Sequence, residues 1–330
     1  MKIAVIGAGA WGTTLANVCA RKGHDTILWS RQHDMVSRLN REHENSWYLP
    51  GIALDPRLTA TTDMAHASEN AEIFLWAVPA QFTRQAMENC VEHLPSRPII
   101  VCASKGIELS THMTMSQVVD DVLGDLRPHY AMLSGPSFAD EVSRDIPTTV
   151  TLGCADEKRG RAIRDALSTE HFRIYTTTDY RGVELGGAFK NIIAIAAGIA
   201  DGLDFGSNAR AALITRGLTE MSRLGVALGA RAETFQGLSG LGDLVLTCTG
   251  DASRNRQVGL QIGRGRKLVD ILGEMRSVAE GVKTTEAVHS LAMELGVDLP
   301  ITSELHQVLY EDKSPRQAVA ELMTRDLRDE

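Results

Sequence analysis

Short apolar runs alternate with helical periodicity through the first half of the chain. Strands are predicted at Lys2–Ile6, Thr26–Trp29, Ile73–Ala77, Ile99–Ala103 and Tyr130–Leu133, each mostly apolar and followed by glycine, serine or proline. Such runs fit strands buried on both faces. Helical patterns lie between them at Thr13–Arg21, Met35–Arg41, Phe82–Cys90 and Met113–Val122, and a further strand-helix-strand follows at Thr148–Gly153, Lys158–Ser168 and Phe172–Thr176. This alternation predicts an α/β, doubly wound parallel sheet of Rossmann type. After about residue 178 the strand signals fade. Val183–Ala200 reads as a long, nearly all-apolar helix that should be central and buried. Ile214, Leu218, Met221, Gly225 and Leu228 share one helical face, and Val282–Leu295, Ser303–Tyr310 and Pro315–Met323 also read as helices. The expected organisation is a dinucleotide-binding domain over 1–178 and an all-α domain over 179–330.

The most informative local feature is Gly7-Ala8-Gly9-Ala10-Trp11-Gly12, between the first strand and the first helix. Backbone amides at such a helix start point toward an anion, and missing side chains let a pyrophosphate approach. The bland reading is a helix packed tightly through its glycines. Trp11 either closes over the pyrophosphate or packs. The second strand ends Leu28-Trp29-Ser30-Arg31-Gln32, with no carboxylate at its tip for the ribose hydroxyls of NAD. Arg31 is placed for the 2′-phosphate of NADP and Ser30 for a hydrogen bond, so NADP is the preferred cofactor and NAD the alternative. Otherwise Arg31 is a solvated surface arginine.

Composition narrows the classes. The 330 residues carry a net charge of −8, which argues against nucleic acid or an acidic membrane as partner. Local cations must therefore hold any anionic ligand. Met1 leads directly into a predicted strand, so no signal peptide is expected. No uninterrupted apolar run reaches spanning length, Ile192–Ala200 being too short, so no membrane span is expected. Five scattered cysteines without a CxxC pair read as reduced core residues of a cytoplasmic protein, and the histidines show no metal-ligand spacing. The oligomeric state stays open, a homodimer being one state compatible with the sequence.

Ligands of open α/β sheets bind beyond the carboxyl ends of the strands. Ser104-Lys105-Gly106 follows one such end and brings a cation. Ser134-Gly135-Pro136-Ser137 follows another, where Ser137 with Asp140 and Glu141 resembles a helix-capping signature. Its hydroxyl caps or touches a ligand. Lys190 and Asn191 interrupt the apolar helix. A buried ammonium is costly unless paired or deprotonated, so Lys190 is a candidate proton carrier, against the plain reading of a snorkelling side chain. Ser253-Arg254-Asn255 opens a helical stretch ending near Gly263 and suits a phosphate, although an N-cap with a solvent-facing arginine explains the same residues. Asp243 orients a lysine or a substrate hydroxyl, or caps a helix.

Several blocks in order carry a family resemblance: GAGAWG (7–12), SKG (104–106), SGPSFA (134–139), GAFKNIIAIAAG (187–198), LSGLGDLVLTCTG (238–250), SRN (253–255) and VAEGVKTT (278–285). Over essentially its full length the chain resembles the bacterial NAD(P)-dependent glycerol-3-phosphate dehydrogenases. The resemblance implies reversible hydride transfer between dihydroxyacetone phosphate and sn-glycerol 3-phosphate, supplying glycerol 3-phosphate for phospholipid synthesis. It implies Lys190 as proton acceptor and Lys105 as a lysine contacting substrate and cofactor. Gly135, Ser137, Asp243, Ser253, Arg254 and Asn255 would be substrate contacts. Gly7, Gly9 and Gly12 with Ala10, Trp11, Arg31, Lys105, Ala139, Arg254, Val278 and Glu280 would be cofactor contacts. Ala10 departs from a serine frequent in the family, which a backbone contact survives and a hydroxyl contact does not. The competing readings are another two-domain reductase of the 6-phosphogluconate or hydroxyacid dehydrogenase type, and a non-catalytic NADP-sensing module.

Overall fold

A computed structural model describes residues 1–275 and 279–325 of the chain. They divide into two compact units, Met1–Lys105 with Met113–Glu184, and Gly106–His112 with Leu185 onward.

The first unit runs β1 (Lys2–Ile6), α1 (Ala10–Arg21), β2 (Asp25–Trp29), α2 (His33–Glu42), β3 (Glu44–Asn45), β4 (Leu49–Ala53), β5 (Thr59–Thr61), α3 (Met64–Ser68), β6 (Ile73–Trp76), α4 (Ala80–Glu88), β7 (Ile99–Cys102), α5 (Met115–Leu123), β8 (His129–Ser134), α6 (Ala139–Ser143), β9 (Thr148–Gly153), α7 (Glu157–Leu167) and β10 (Phe172–Thr177). Eight strands form one sheet in the order β10-β9-β8-β7-β6-β1-β2-β5. Alternate residues of β1 enter different cores: Ile3 and Val5 join one, Ala4 and Ile6 the other. This two-sided burial is the reason the central strands read as unbroken apolar runs.

The expected strands are all present, but the sheet is not wholly parallel. β8 pairs with β9 antiparallel, Leu133 facing Leu152. Helix α6, which connects them, has five residues. It rises about 7.5 Å, whereas a six-residue strand spans about 20 Å. The connection therefore does not return the chain to the sheet's starting edge, and β9 runs back beside β8. The β3–β4 pair and edge strand β5 carry no sequence signal of their own, because three-residue Thr-Ala-Thr is too short and polar to show a period.

The helical series comprises α8 (Tyr180–Gly202), α9 (Gly206–Ala227), a π-helical turn at Leu238–Gly242, α10 (Asp243–Thr249), α11 (Arg254–Gly263), α12 (Leu268–Glu274), α13 (Glu280–Leu295), α14 (Pro300–Tyr310) and α15 (Pro315–Met323). Ile192, Ile193, Ile195 and Ile199 of α8 lie in the core of the second unit with Met221, Leu224, Val258 and Val288. The apolar segment at α8 is longer than the sequence run Ile192–Ala200 implied. Counted as a whole helix, α8 has 23 residues and a window of mean hydropathy 1.4, enough in length and composition to cross a membrane. The uninterrupted run Ile192–Ala200 understated it because Lys190 and Asn191 break the run without breaking the helix. The window is 94% buried inside the protein, so α8 is a core helix. Residues Gly106–His112 pack with this unit, where Ile107 joins the core and His112 Nδ1 lies 2.9 Å from Glu294 Oε1 on α13.

A buried carboxylate organises the far end of the helical unit. Glu220 of α9, 3% exposed, accepts hydrogen bonds from Ile301 N (2.6 Å), Thr302 N (3.1 Å) and Thr302 Oγ1 (2.9 Å) at the start of α14. Leu299, at the N-cap, supplies no side-chain bond, so Glu220 satisfies these orphan donors from another helix. Burial pushes its carboxyl up from 4.5 to about 7, although the two amides, the Thr302 hydroxyl and Arg223 pull it down. The folded state thus holds this proton more tightly than the unfolded chain. The stability so linked is complete below pH 4.5 and is lost as pH rises through about 7. In urea unfolding, Glu220→Gln should flatten the wild-type loss of stability between pH 5 and pH 8 by up to roughly 3 kcal/mol. An identical pH slope in the variant contradicts the assignment.

Candidate active site

The glycine turn after β1 assigns each glycine a separate task. Gly7 has φ +111°, and a Cβ there would lie 2.8 Å from Ala77 O. Gly9 is the N-cap of α1, makes no side-chain cap bond, and has open space where a Cβ would point. Gly12 passes so close to the turn that a Cβ would lie 1.8 Å from Gly7 O. One glycine turns, one leaves the helix start open, and one lets α1 seat against the turn, as a pyrophosphate cradle requires. Asn45, which sequence reasoning missed, pins this turn: its Nδ2 donates to Ala8 O at 3.0 Å and Thr13 Oγ1 at 2.8 Å. Ala10 opens α1, where only its backbone can serve a ligand. Trp11 packs against the core with its ring tilted against Phe172 at 6.4 Å.

At the tip of β2, Arg31 is exposed and its guanidinium lies 5.9 Å from the Phe82 ring centroid. Ser30 is buried, its Oγ accepting Gln32 N at 3.2 Å, which makes it part of the turn. After β7, Ser104 Oγ donates to Val78 O, and half-buried Lys105 follows, before Gly106 at φ +155°. After β8, Gly135 has φ +142° and sits over β9, where a Cβ would meet Val150 Cα at 2.9 Å. Ser137 does not cap α6. Its hydroxyl donates back to Gly135 O at 2.9 Å, and Phe138 is the N-cap. Asp140 is taken by Arg144 at 2.9 Å. Ala139 opens α6, its carbonyl accepting Thr14 Oγ1 at 3.2 Å.

In the second unit Lys190 and Asp243 form a buried ion pair between Nζ and Oδ1. Lys190 is 8% exposed and Asp243 fully enclosed. The pair forms because α8 and the π-helical turn touch backbone to backbone: a Cβ on Gly186 would lie 2.4 Å from Ser239 O. The turn then delivers Asp243 as the first residue of α10, where Thr247 Oγ1 donates to its carbonyl at 2.6 Å. A buried ammonium and carboxylate stabilise each other, and removing one of the two is strongly destabilising. Burial pushes the nearby Cys248 thiol up to about 12, with Lys190 acting the other way, so this cysteine is an inert core residue.

Ser253 is the N-cap of α11, its Oγ accepting Arg256 N at 3.3 Å. Arg254 is exposed in the first turn. Asn255 is buried, and its Oδ1 accepts Gly281 N at 3.0 Å, just after Glu280 opens α13. A Cβ on Gly281 would also meet Asn191 O at 2.6 Å, so α8, α11 and α13 converge beside Lys190. Ser253 and Asn255 thus have backbone work of their own, and Arg254 is the free-standing cation of the triplet. Val278 lies outside the described residues. Among the described residues no three His, Cys, Asp or Glu side chains cluster as metal ligands.

A glycine cradle on a mostly parallel sheet and a buried lysine–carboxylate pair on a helical unit together define a nucleotide-dependent oxidoreductase of two units. The chain belongs to the glycerol-3-phosphate dehydrogenase family. Residues 2–160 match the family described as the NAD-dependent glycerol-3-phosphate dehydrogenase N-terminus, and residues 179–320 match the corresponding C-terminus. Among curated proteins, the chain is 61% identical to the "Glycerol-3-phosphate dehydrogenase [NAD(P)+]" of Solidesulfovibrio magneticus and 59% identical to that of Maridesulfovibrio salexigens, each over 330 residues and 100% of both chains. Among solved structures, the glycerol-3-phosphate dehydrogenase of Coxiella burnetii is similar with a TM-score of 0.94 at 41% identity, covering 98% of this chain and 99% of that one.

Proposed function

We propose that Lys190 is the proton carrier of an NAD(P)-dependent glycerol-3-phosphate dehydrogenase. The chain interconverts dihydroxyacetone phosphate and sn-glycerol 3-phosphate, and the observation that carries this reading to a residue is the buried Lys190–Asp243 pair. As an ion pair, Lys190 holds the proton that reduction of the ketone consumes. Nζ gives it to the substrate's C2 oxygen, and in oxidation takes it from the secondary hydroxyl. Asp243 keeps the amine in place. When bound, the nicotinamide supplies or accepts the hydride. The Gly7–Gly12 turn suits its pyrophosphate, because the space at Gly9 admits a ligand where a side chain would stand. Lys105 stabilises negative charge developing on the substrate oxygen. Family membership supports Gly135, Ser137, Ala139 and Glu280 as further ligand contacts.

The substrate phosphate belongs at the start of α11, a ten-residue helix whose first turn carries no acidic residue. Arg254 and the helix amides there form a cation-and-donor site remote from the reacting carbon. Its binding energy orients the substrate. Arg31 reads the 2′-phosphate of NADP, making NADPH the preferred reductant. The five cysteines, all free and buried, suit a reducing compartment and support a cytoplasmic location, with the product feeding phospholipid synthesis.

Dihydroxyacetone phosphate assayed with NADPH and NADH side by side tests the function. Oxidation of either is expected, NADPH faster. Tight NADPH binding without turnover of this or any related ketone would favour a sensor. Arg31→Ala should raise KM for NADPH by roughly 10- to 100-fold, the weight of a charge-assisted phosphate contact, and leave KM for NADH unchanged. Equal change for both cofactors would refute the 2′-phosphate role.

A further inference from the structure

The first turn of α11 needs something to set its angle. Helices α8 and α11 meet through glycines on both sides: a Cβ on Gly198 would lie 2.1 Å from Arg256 O, one on Gly259 2.0 Å from Ile195 O, and one on Gly263 2.4 Å from Ile199 O. Backbone contact of this kind brings the helices close, and Val258 and Ile262 of α11 pack into the shared core further along the helix, beyond the first turn itself. Beside the Asn255–Gly281 bond to α13, a charged network ties this turn to α8. Arg256, nine-tenths buried, donates from Nε to Asp201 Oδ2 at 2.9 Å, with Nη2 2.8 Å from the same oxygen. Its Nη1 reaches Asp251 Oδ1 at 2.9 Å, in the loop just before Ser253. Asp201, near the end of α8, gives its other oxygen to Arg210 of α9, Nε at 2.8 Å and Nη2 at 2.7 Å.

Arg256 therefore ties its own turn to α8 on one side and to the preceding loop on the other, around Arg254. Residues two apart on a helix point in different directions. Arg256 turns inward to Asp201 while Arg254 stands exposed. The cavity beside the network, about 380 Å³, is lined by Asp201, Asp204 and Asp251 as well as by Arg210, Arg256 and Arg264. Its charges balance, so it reads as framework and not as an anion site.

We infer that Asp201 and Arg256 are positioning residues that aim the first turn of α11, and with it Arg254, at the substrate phosphate. This rests on the proposed function. Both act through the turn and touch no substrate atom. Asp201 lies about three turns along α8 from Lys190, and Arg256 pairs with it from α11, so the two set phosphate binding without entering proton transfer.

The test is a steady-state comparison of wild type, Asp201→Asn, Arg254→Ala and the double variant, with folding checked by thermal melting. Asp201→Asn keeps the shape and removes the charge. It should raise KM for dihydroxyacetone phosphate about tenfold, with kcat and the KM for NADPH within about twofold, the split of a lost binding contact. In the Arg254→Ala background the same change should add less than about twofold, because both substitutions remove one contact. If Asp201→Asn does not fold, Arg256→Lys, which keeps the charge but loses the fork, is read by the same split. An unchanged KM in a folded variant overturns the inference. So does a joint fall of kcat and both substrate affinities, or full additivity with Arg254→Ala, either of which leaves the network a merely structural role. Failure of wild type to reduce dihydroxyacetone phosphate at all would strike the proposed function itself, a different result from any of these.

Discussion

Replacing Lys190 with alanine is expected to lower kcat by about 10²- to 10⁴-fold, the usual contribution of a positioned proton carrier, while NADPH affinity changes little. The two effects separate because Lys190 lies in the helical unit, whereas the glycine cradle and Arg31 lie in the first unit. The variant should also be less stable. Asp243 is fully enclosed and would lose its cation, and breaking a buried pair costs about 3–5 kcal/mol. A second variant separates chemistry from folding: Lys190→Met with Asp243→Leu removes both charges, so it should recover most of the stability and none of the turnover. Fluorescence titration with NADPH, thermal melting and turnover measured on the same preparations decide the matter. Near-normal kcat in Lys190→Ala would remove the lysine from its role. Activity regained by the doubly apolar variant would do the same.

The second large effect is at the glycine turn, where one of two neighbouring substitutions should lower stability and the other leave it unchanged, while both weaken binding. Gly12→Ala places a methyl group 1.8 Å from Gly7 O, a backbone atom that cannot rotate away. Helix α1 must shift from β1, so the melting temperature should drop, with a cost of about 1–3 kcal/mol or more, and nucleotide affinity should fall over about 100-fold as the α1 amides move off the ligand. Gly9→Ala meets no protein atom within 4 Å. It should melt like wild type and still bind NADPH poorly, because its methyl group enters the space meant for the pyrophosphate. Normal NADPH affinity in Gly9→Ala would show that the open space at the N-cap is not where the dinucleotide lies.

Much of this was legible in the chain. The strands at Lys2–Ile6 and Thr148–Gly153 and the helix at Pro315–Met323 occur at their expected bounds. The apolar periods that mark them are set by burial on one or two faces, and burial acts on the sequence residue by residue. The expected helix opening at Ser253 is an N-cap bond in the structure for the same reason, since a hydroxyl and an amide three residues on are local partners. Shorter or more polar pieces gave less. Thr59–Thr61 pairs with β2 through main-chain bonds that impose no side-chain pattern. Ser137 looked like a cap because Asp140 and Glu141 follow it, yet Asp140 is engaged by Arg144 and the hydroxyl turns back to Gly135.

What the chain determined by itself was whatever depends on near neighbours: the period of each element, the glycine turn between strand and helix, the unusual lysine in an oily helix, and the blocks that mark its family. What tertiary structure decided was which distant groups meet. That Lys190 takes Asp243, that Asn255 holds Gly281, that Arg256 holds Asp201 and Asp251, and that β9 runs antiparallel to β8 all follow from how elements pack. Each buried charge or donor must find a partner, and many carboxylates in the chain had the chemistry to serve. The approach of one backbone to another, where glycine allows it, selects the one within reach.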